Sequence, residues 1–285
     1  MVNIKDYQTE AVPNWCPGCG NFSIMVALKK ALVELNIKPE NVVIVTGIGC
    51  GSKFPYWINT FGFHTIHGRS LPVAAGVKLA NNDLTVIAMG GDGDGYGIGV
   101  GHFVHALRRN VNMAYLVQNN SIYGLTKGQA SPTTELGKKT SSTPFGNPDH
   151  PINPLKLSIG GGATFVARAF TADVNFMTEI IKAAIKHKGF AHVDLLQPCV
   201  TFNDSYDYYK KRVYKLDKKH DVSDIKKAWQ KALECEKNPN KIATGIFYQV
   251  NKQTYEDNLP QIKKKSLVKQ NIENINIDKI LKRFV

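Results

Sequence analysis

Two predicted strand ends carry oxygen atoms that could bind a divalent metal ion. Asp92 follows an apolar stretch at 84–89, and Asn120 follows a second apolar stretch at 111–117. If the sheet is parallel, both side chains lie beyond the carboxyl ends of its strands, where ligands bind in such sheets. Mg²⁺ prefers a few hard oxygen ligands and completes its octahedron with water and phosphate oxygens. The glycines beside Asp92 let the backbone approach a phosphate closely, so the pattern predicts a magnesium–phosphate site.

Four of the five cysteines could converge on a further site. Cys16 and Cys19 form a CxxC pair, and Cys50 and Cys199 each follow a predicted strand. Four thiolates suit a structural zinc ion or a 4Fe–4S cluster, and the wide spacing along the chain favours the cluster. The CxxC pair alone could instead be redox-active, and Cys50 and Cys199 could merely fill the core. Cys235 lies between two glutamates on a predicted helix, and we interpret it as structural.

The apolar spacing predicts strands that alternate with helices. Runs typical of buried strands are separated by segments in which apolar residues recur every three or four positions. This order predicts an α/β fold, with a mostly parallel sheet and helices on both faces. A loop rich in Gly, Ser, Thr and Pro at 128–153 is long for a compact domain, and such loops are usually functional or disordered. The predicted strands are 41–46, 85–89, 111–117, 165–169 and 191–196, and the predicted helices are 22–36, 72–81, 99–108, 174–186 and 222–236.

The pattern changes near residue 200. Residues 200–219 are polar, charged and rich in tyrosine, and residues 250–285 show no clear core pattern. We therefore expect one domain over residues 1–199, which carries the sites above. Residues 200–285 are expected to be a C-terminal extension that packs on this domain or on a partner.

The composition is that of an ordinary globular protein, with 285 residues, 43% hydrophobic and 21% charged. No apolar run predicts a membrane span, and the N-terminus lacks the apolar core of a signal peptide, so the expected location is the cytoplasm. The net charge of +13 could attract nucleic acid, a membrane surface or an acidic protein, or it could reflect a solvated lysine-rich surface. No nucleic-acid-binding motif accompanies the charge, so neither nucleic acid nor membrane is an expected partner.

Several motifs together resemble one family. The chain resembles the β subunit of archaeal 2-oxoacid:ferredoxin oxidoreductases over roughly residues 10–205. The resemblance implies a fold that binds thiamine diphosphate (ThDP). The motifs that carry it are WCPGCG at 15–20, GIGC at 47–50, HGR at 67–69 followed by LPVAAGVKLA, GGDGD at 90–94, IGVGHFVHALRRN at 98–110 and YGLTKGQASPTT at 123–134.

The resemblance implies three bound groups and the residues that hold them. One 4Fe–4S cluster would be bound by Cys16, Cys19, Cys50 and Cys199. Mg²⁺ would be bound by Asp92, Asn120 and the carbonyl of Ile122. ThDP would be surrounded by Ile48, Gly49, Cys50, Gly51, His67, Gly91, Asp92, Gly93, Asp94, Gly124 and Leu125.

Two short segments depart from the pattern common in this family, and each contains a lysine. The usual Gly-Cys-Ser-Gly turn has Ser and Gly exchanged after Cys50, and Lys53 follows; the usual Thr-Gly-Gly-Gln has Lys127 in place of the first Gly. A 2-oxo acid carries at least one negative charge, so we expect Lys53 to bind its carboxylate and Lys127 to affect substrate preference. Lys53, Lys127 and Leu125 are the expected catalytic residues on the substrate side.

The resemblance also implies an activity and its partners. The expected reaction is the CoA-dependent oxidative decarboxylation of 2-oxo acids, such as pyruvate or 2-oxoglutarate, to acyl-CoA and CO₂, with electrons passing through the cluster to ferredoxin. A larger α subunit, or a fused γ–α subunit, would supply the glutamate that contacts the aminopyrimidine ring of ThDP. We expect a dimer of such heterodimers.

Two other classes of function remain open at this point. One is a non-redox ThDP-dependent decarboxylase or acetolactate-type synthase, although such chains are longer and do not need four placed cysteines. The other is an iron–sulfur or zinc regulator of nucleic acid, which only the basic charge favours.

Overall fold

A computed structural model describes residues 1–273 and 276–284 of the chain. The described strands are β1 (Val42–Thr46), β2 (Phe61–His64), β3 (Thr85–Gly91), β4 (Met113–Asn119), β5 (Phe165–Phe170), β6 (Phe190–Leu196), β7 (Val213–Lys215) and β8 (Ile242–Gln249). They form one sheet in the order β2-β1-β3-β4-β6-β5-β8-β7. Neighbouring strands are parallel except β5 and β8, which pair antiparallel with a bulge between Val166 and Ala167. The expected mostly parallel sheet is confirmed.

Helices cover both faces of the sheet. The described helices are α1 (Gly20–Glu34), α2 (Ser70–Ala80), α3 (Val100–Arg109), α4 (Pro154–Gly160), α5 (Val174–Lys186), α6 (Tyr206–Arg212), α7 (Ile225–Ala232), α8 (Glu234–Lys237), α9 (Pro260–Lys263) and α10 (Asp278–Leu281). Buried residues of α1 and α5 form the core on one face. Buried residues of α2, α3, α4 and α7 form the core on the other face.

The central strands show why the sequence folds into a two-faced sheet. In β4, Ala114 and Leu116 belong to the core on the α1 face, whereas Met113, Tyr115 and Val117 belong to the opposite core. Because successive side chains of a strand point to opposite faces, a strand buried on both faces must be apolar at nearly every position. The continuous apolar runs that predicted these strands follow from this double burial.

Three strands escape the sequence pattern. All four residues of the edge strand β2 are exposed; Phe61 and Phe63 alternate with Gly62 and His64, but the strand is short and has no buried face. β8 is interrupted by Gly245, whose φ of +133° is one that side chains rarely adopt, and β7 has only three residues. The helix predicted over 222–236 is also divided, because α7 ends at Ala232 and α8 follows from Glu234.

The C-terminal extension adds β7 and β8 to the sheet. The residues after β8 then run along the edge of the sheet where β3 and β4 begin. Glu256 accepts a hydrogen bond from the backbone N–H of Asn112, and the carbonyl of Ile262 accepts one from Asn82. Residues 274, 275 and 285 of the predicted extension lie outside the described residues. The division of the chain at residue 199 stays a prediction. No helix in the described part of the chain is long and apolar enough to cross a membrane.

Candidate functional site

One cavity of about 80 Å³ collects every residue predicted for the cofactor or for Mg²⁺. Its walls are the turn after β1, His67, the turn after β3 and the segment after β4. These turns meet because β1, β3 and β4 are parallel neighbours whose carboxyl ends share one edge of the sheet. The predicted residues that line the cavity are Ile48, Gly49, Cys50, Gly51, His67, Gly91, Asp92, Gly93, Asp94, Asn120, Ile122, Gly124 and Leu125.

Asp92 is a buried carboxylate held by two hydroxyl groups. Its side chain is 1% exposed, and Oδ2 accepts hydrogen bonds from Ser131 Oγ at 2.5 Å and from Thr133 Oγ1 at 2.6 Å. Burial raises the pKa of Asp92 to about 6, although these hydrogen bonds and nearby backbone N–H groups oppose the increase. A buried carboxylate with few cationic neighbours suits a site that receives a cation.

Asp94 joins two turns of the cavity wall. Its Oδ1 accepts hydrogen bonds from the backbone N–H groups of Ile48 at 2.9 Å and Gly68 at 2.8 Å, and it lies 3.2 Å from His67 Nδ1. Burial raises the pKa of this carboxyl group, and the two N–H donors lower it. A side chain at Gly47 would overlap the Asp94 carboxylate, so glycine is required there. The geometry makes Asp94 the link that positions both turns.

The wall of the cavity includes glycine backbone with open space in front of it. Gly49 has a φ of +130°, a conformation that favours glycine, and no atom lies within 4 Å of where its Cβ would be. At Gly91 the nearest atom to a Cβ would be 3.9 Å away. This arrangement leaves room for a group that approaches the backbone closely, as the diphosphate of ThDP would.

Gln118 also lines this cavity, and the sequence reasoning missed it. The side chain is 1% exposed on β4, and neither atom of its amide has a hydrogen-bond partner among the described residues. Its Oε1 lies against Gly51, where a Cβ would come within 2.4 Å. A polar residue within the apolar run of β4 was the available signal. An unpaired buried amide is costly, so its presence here suits a site that receives a polar ligand.

The four predicted cluster ligands surround a second cavity of about 210 Å³. Cys16, Cys19, Cys50 and Cys199 all line it. Burial raises the pKa of Cys19 to about 11, with further contributions from the other three thiols, and burial likewise raises the pKa of Cys50. The cavity has room for a group larger than a single ion.

Two of these cysteines also accept hydrogen bonds from neighbouring side chains, one at its thiol and one at its backbone carbonyl. Gln197 Nε2 donates to Cys19 Sγ at 3.3 Å, and Trp15 Nε1 donates to the carbonyl of Cys50 at 2.7 Å. Within residues 1–273 and 276–284, no three His, Cys, Asp or Glu side chains have the close spacing that a single metal ion requires. A 4Fe–4S cluster is wider than an ion and holds its four ligands further apart.

The two cavities are adjacent. Cys50, Asn120, Gly124, Leu125 and Gln197 line both of them. A Cβ at Gly124 would lie 3.4 Å from Cys199 Sγ, which shows how closely the segment after β4 approaches the thiols. Groups bound in the two cavities would therefore be neighbours.

The residues predicted on the substrate side have different surroundings. Leu125 lines both cavities and is half exposed. Lys53 lines only the cysteine cavity, where its Nζ donates to Asn14 Oδ1 at 3.1 Å. Lys127 is exposed, lines neither cavity, and has a φ of +78°, which glycine adopts at lower cost. Cys235 lines a separate cavity of about 520 Å³ beside the buried Arg168.

Family models match both parts of the chain. A model described as "Thiamine pyrophosphate enzyme, C-terminal TPP binding domain" matches residues 47–195, which include most of the cofactor cavity. A second model, which describes the C-terminal part of the pyruvate ferredoxin oxidoreductase beta subunit, matches residues 199–264. The fold is thus that of a domain that binds thiamine pyrophosphate, the same compound as ThDP.

Individual relatives narrow the class. Subunit beta of 2-oxoacid:ferredoxin oxidoreductase 1 from Aeropyrum pernix is 49% identical, and the alignment covers 90% of this chain and 85% of that protein. The corresponding subunit from Saccharolobus solfataricus is 53% identical over 83% of this chain and 81% of its own. A solved 2-oxoglutarate:ferredoxin oxidoreductase from Magnetococcus marinus, with 2-oxoglutarate, coenzyme A and succinyl-CoA bound, has a TM-score of 0.91 and 39% identity over 99% of this chain and 96% of that chain.

The chain belongs to the family of 2-oxoacid:ferredoxin oxidoreductase β subunits. The resemblance seen in the motifs is confirmed, and so are the ThDP-binding fold and the oxidoreductase class that it implied. Neither the non-redox decarboxylase nor the nucleic-acid regulator is favoured by these relatives.

Proposed function

We propose that this chain binds Mg²⁺, ThDP and one 4Fe–4S cluster, and that its enzyme oxidises 2-oxo acids such as 2-oxoglutarate or pyruvate. In the balanced reaction, a 2-oxo acid, CoA and two oxidised ferredoxins give acyl-CoA, CO₂, a proton and two reduced ferredoxins. The observation that carries this proposal is the contact between two cavities: one holds the oxygen donors for Mg²⁺, the other holds four thiols, and Cys50 lies in both walls.

The cofactor cavity supports the proposed binding of Mg²⁺ and ThDP. Asp92, Asn120 and Ile122 line one cavity, and they would offer Mg²⁺ a carboxylate, an amide oxygen and a backbone carbonyl. The open backbone at Gly49 and Gly91 would face the diphosphate, and Asp94 fixes the turn that carries Gly49. When bound, ThDP supplies the electron sink that lets a 2-oxo acid lose CO₂, and the protein orients it and excludes water.

The four thiols support the proposed 4Fe–4S cluster. Four cysteines around a cavity wider than an ion match the ligand set of a 4Fe–4S cluster. Because burial raises the pKa of Cys19 and Cys50, these thiols hold their protons in the iron-free protein and would release them when iron binds. Gln197 would then donate a hydrogen bond to a cluster ligand, which is one means by which proteins adjust cluster potential.

Two of the three substrate residues are proposed from their places around these cavities, and the third from its backbone conformation. Leu125 would contact the reacting end of the substrate, since it lines both cavities. Lys53 would attract the substrate carboxylate from the rim of the cysteine cavity. Lys127 adopts a strained backbone conformation, and such strain is often retained at functional sites, which supports a role in substrate preference.

A larger partner protein would complete the site. Ile48 and Leu125 are exposed where they line the cofactor cavity, and Ile66 and Ile98 are exposed near its His67 side. Apolar side chains around a cavity mouth are typical of interaction sites. We infer that this face is covered by an α or fused γ–α subunit, which contributes the glutamate that activates ThDP. Two such pairs would form the enzyme, and the basic surface would attract an acidic ferredoxin.

Metal and cofactor content of the anaerobically purified enzyme tests this proposal. We expect one thiamine and four irons per β chain, and the visible absorption of the cluster should decrease when a 2-oxo acid and CoA are added. Aldehyde in place of acyl-CoA from the enzyme with its full iron content would contradict the proposal, because a simple decarboxylase would then explain the ThDP site.

A further inference from the structure

The loop that follows the cofactor cavity reaches back to the proposed metal ligand. Ser131 and Thr133, in the loop at 128–153, place their hydroxyl groups 2.5 and 2.6 Å from the same oxygen of Asp92, Oδ2. No side-chain donor in the described part of the chain reaches the other oxygen, Oδ1. The two oxygens of a free carboxylate are equivalent. Because both hydroxyl groups contact Oδ2, the two oxygens of Asp92 are unequal.

We propose that Ser131 and Thr133 are positioning residues that make Asp92 a one-oxygen ligand of Mg²⁺. With Oδ2 occupied by two hydroxyl donors, Oδ1 is the oxygen left for the ion. Mg²⁺ requires a nearly ideal octahedron at short distances, whereas Ca²⁺ accepts irregular geometry and often takes both oxygens of a carboxylate. A carboxylate fixed in this way favours Mg²⁺ over Ca²⁺. This inference rests on the proposed metal site.

The two hydroxyl groups are themselves held in place. Thr134 Oγ1 accepts a hydrogen bond from the backbone N–H of Ser131 at 2.7 Å and donates to the carbonyl of Ser121 at 2.7 Å, which fixes the loop against the segment after β4. Thr133 Oγ1 lies 2.8 Å from Asn119 Oδ1 as well, but a carboxylate is the stronger acceptor for its single proton.

Asn119, which lies beside Thr133, belongs to a hydrogen-bond network in the core of the sheet. Asn119 donates to Asp194 Oδ1 at 3.0 Å, and Arg168 Nε donates to Asp194 Oδ2 at 2.8 Å. Both Asp194 and Arg168 are buried, so Asn119 cannot turn its amide without leaving a buried carboxylate short of a donor. The loop hydroxyl groups therefore orient Asp92 beside a fixed wall of residues from β4, β5 and β6.

Removing both hydroxyl groups tests the proposal. The double variant Ser131→Ala with Thr133→Val keeps nearly the same volume and frees Asp92 to rotate and use both oxygens. Loss of such supporting contacts typically lowers metal affinity by about 10- to 100-fold. We expect the Mg²⁺ concentration for half-saturation to increase by about that factor, whereas the value for Ca²⁺ should change by less than about threefold, since Ca²⁺ tolerates the freed carboxylate.

The measurement uses the assembled enzyme after chelation and does not depend on turnover. Mg²⁺ and, separately, Ca²⁺ are titrated at saturating ThDP, and the thiamine retained after rapid desalting is measured by fluorescence. Thr133→Ser keeps a hydroxyl group and should preserve the wild-type preference for Mg²⁺. Thr143→Val is the matched control: it removes a hydroxyl of the same loop that contacts Thr140 and the carbonyl of Lys138 but does not touch Asp92, Ser131 or Thr133, and it should leave the ratio of the two half-saturation values unchanged.

Three results would overturn the proposal. Equal losses of affinity for Mg²⁺ and Ca²⁺ in the double variant would mean that the hydroxyl groups serve the fold alone. Unchanged half-saturation values would mean that they do not act on Asp92. A narrowed ratio of the Ca²⁺ and Mg²⁺ half-saturation values in Thr143→Val would assign the effect to the loop as a whole. Retention of ThDP by the wild-type enzyme without any divalent ion is a different result, because it would remove the proposed metal site itself.

Discussion

The glycines on either side of Asp92 should respond differently to replacement by alanine. Gly93→Ala should destabilise the fold, whereas Gly91→Ala should weaken cofactor binding alone. A Cβ at Gly93 would lie 2.1 Å from Cε1 and 2.5 Å from Cζ of Tyr123, which is far inside van der Waals contact. Neither glycine has a positive φ, so the alanine backbone is allowed and the clash is the only direct effect. Tyr123 would have to move, although its hydroxyl donates to the carbonyl of Gly93 at 3.2 Å.

The magnitude follows from this overlap. Overpacking of this kind typically costs about 1–3 kcal/mol. For a chain of this size each kcal/mol lowers the melting temperature by roughly 2–4 °C, so Gly93→Ala should melt roughly 4–8 °C lower at about 2 kcal/mol. Since Tyr123 lies next to Ile122, a proposed metal ligand, its displacement should also weaken Mg²⁺ and ThDP binding.

Gly91→Ala is the contrasting variant. Its Cβ would have only the carbonyl of Gln118 nearby, at 3.9 Å, so the melting temperature without cofactor should stay close to that of the wild type. ThDP affinity should fall, because the new methyl group occupies the space that we assign to the diphosphate. Gly76→Ala in α2 is the control: no atom lies within 4 Å of its Cβ, and it does not line the cavity.

Scanning calorimetry of the cofactor-free assembled enzyme, followed by titration with ThDP at fixed Mg²⁺, measures both effects. A wild-type melting temperature for Gly93→Ala would refute the steric argument. Equal destabilisation by Gly91→Ala would show that the space beside Asp92 is not open.

Three further results are expected. Cys199→Ala should lose its iron while Cys235→Ala keeps it, as measured by iron analysis; full iron in Cys199→Ala would remove that residue from the ligand set. Lys53→Ala should raise the KM for the 2-oxo acid without weakening CoA binding, and an unchanged KM would make Lys53 a surface residue. Burial lowers the pKa of His192 to about 4 from the ordinary 6.5, so the folded state resists protonation and stability should fall by about 3 kcal/mol as the pH decreases from about 6.5 to about 4. His192→Gln should reduce this slope in melting temperature against pH, and an unaltered slope would contradict the assignment.

The parallel core of the sheet could be predicted because a strand buried on both faces has a recognisable sequence. β4 and β6 are buried at every position. The apolar run at 113–117 in β4 is typical of such strands, whereas His192 and Asp194 interrupt the apolar residues of β6. The edge strand β2 has four residues and no buried face, and Gly245 interrupts β8, so neither shows an unbroken apolar run of that length.

The candidate site likewise contains residues that the sequence predicts and residues that only the structure reveals. Asp92 and Asn120 could be predicted from their positions after strands, because topology alone brings them to one edge. Ser131 and Thr133 could not, since their role depends on a loop of 26 residues folding back over the cavity. Hydrogen bonds between residues distant in sequence leave no periodicity, and only the structure reveals them.

The coupling of the two cavities is tested most directly by the stoichiometry of a single assay. The assembled enzyme is given a 2-oxo acid, CoA and oxidised ferredoxin under anaerobic conditions, and acyl-CoA, CO₂ and reduced ferredoxin are counted together. We expect one acyl-CoA and one CO₂ for every two ferredoxins reduced, and no turnover by the β chain alone. Release of CO₂ with free aldehyde and no ferredoxin reduction would contradict this coupling, because the cysteine cavity would then have no part in the reaction.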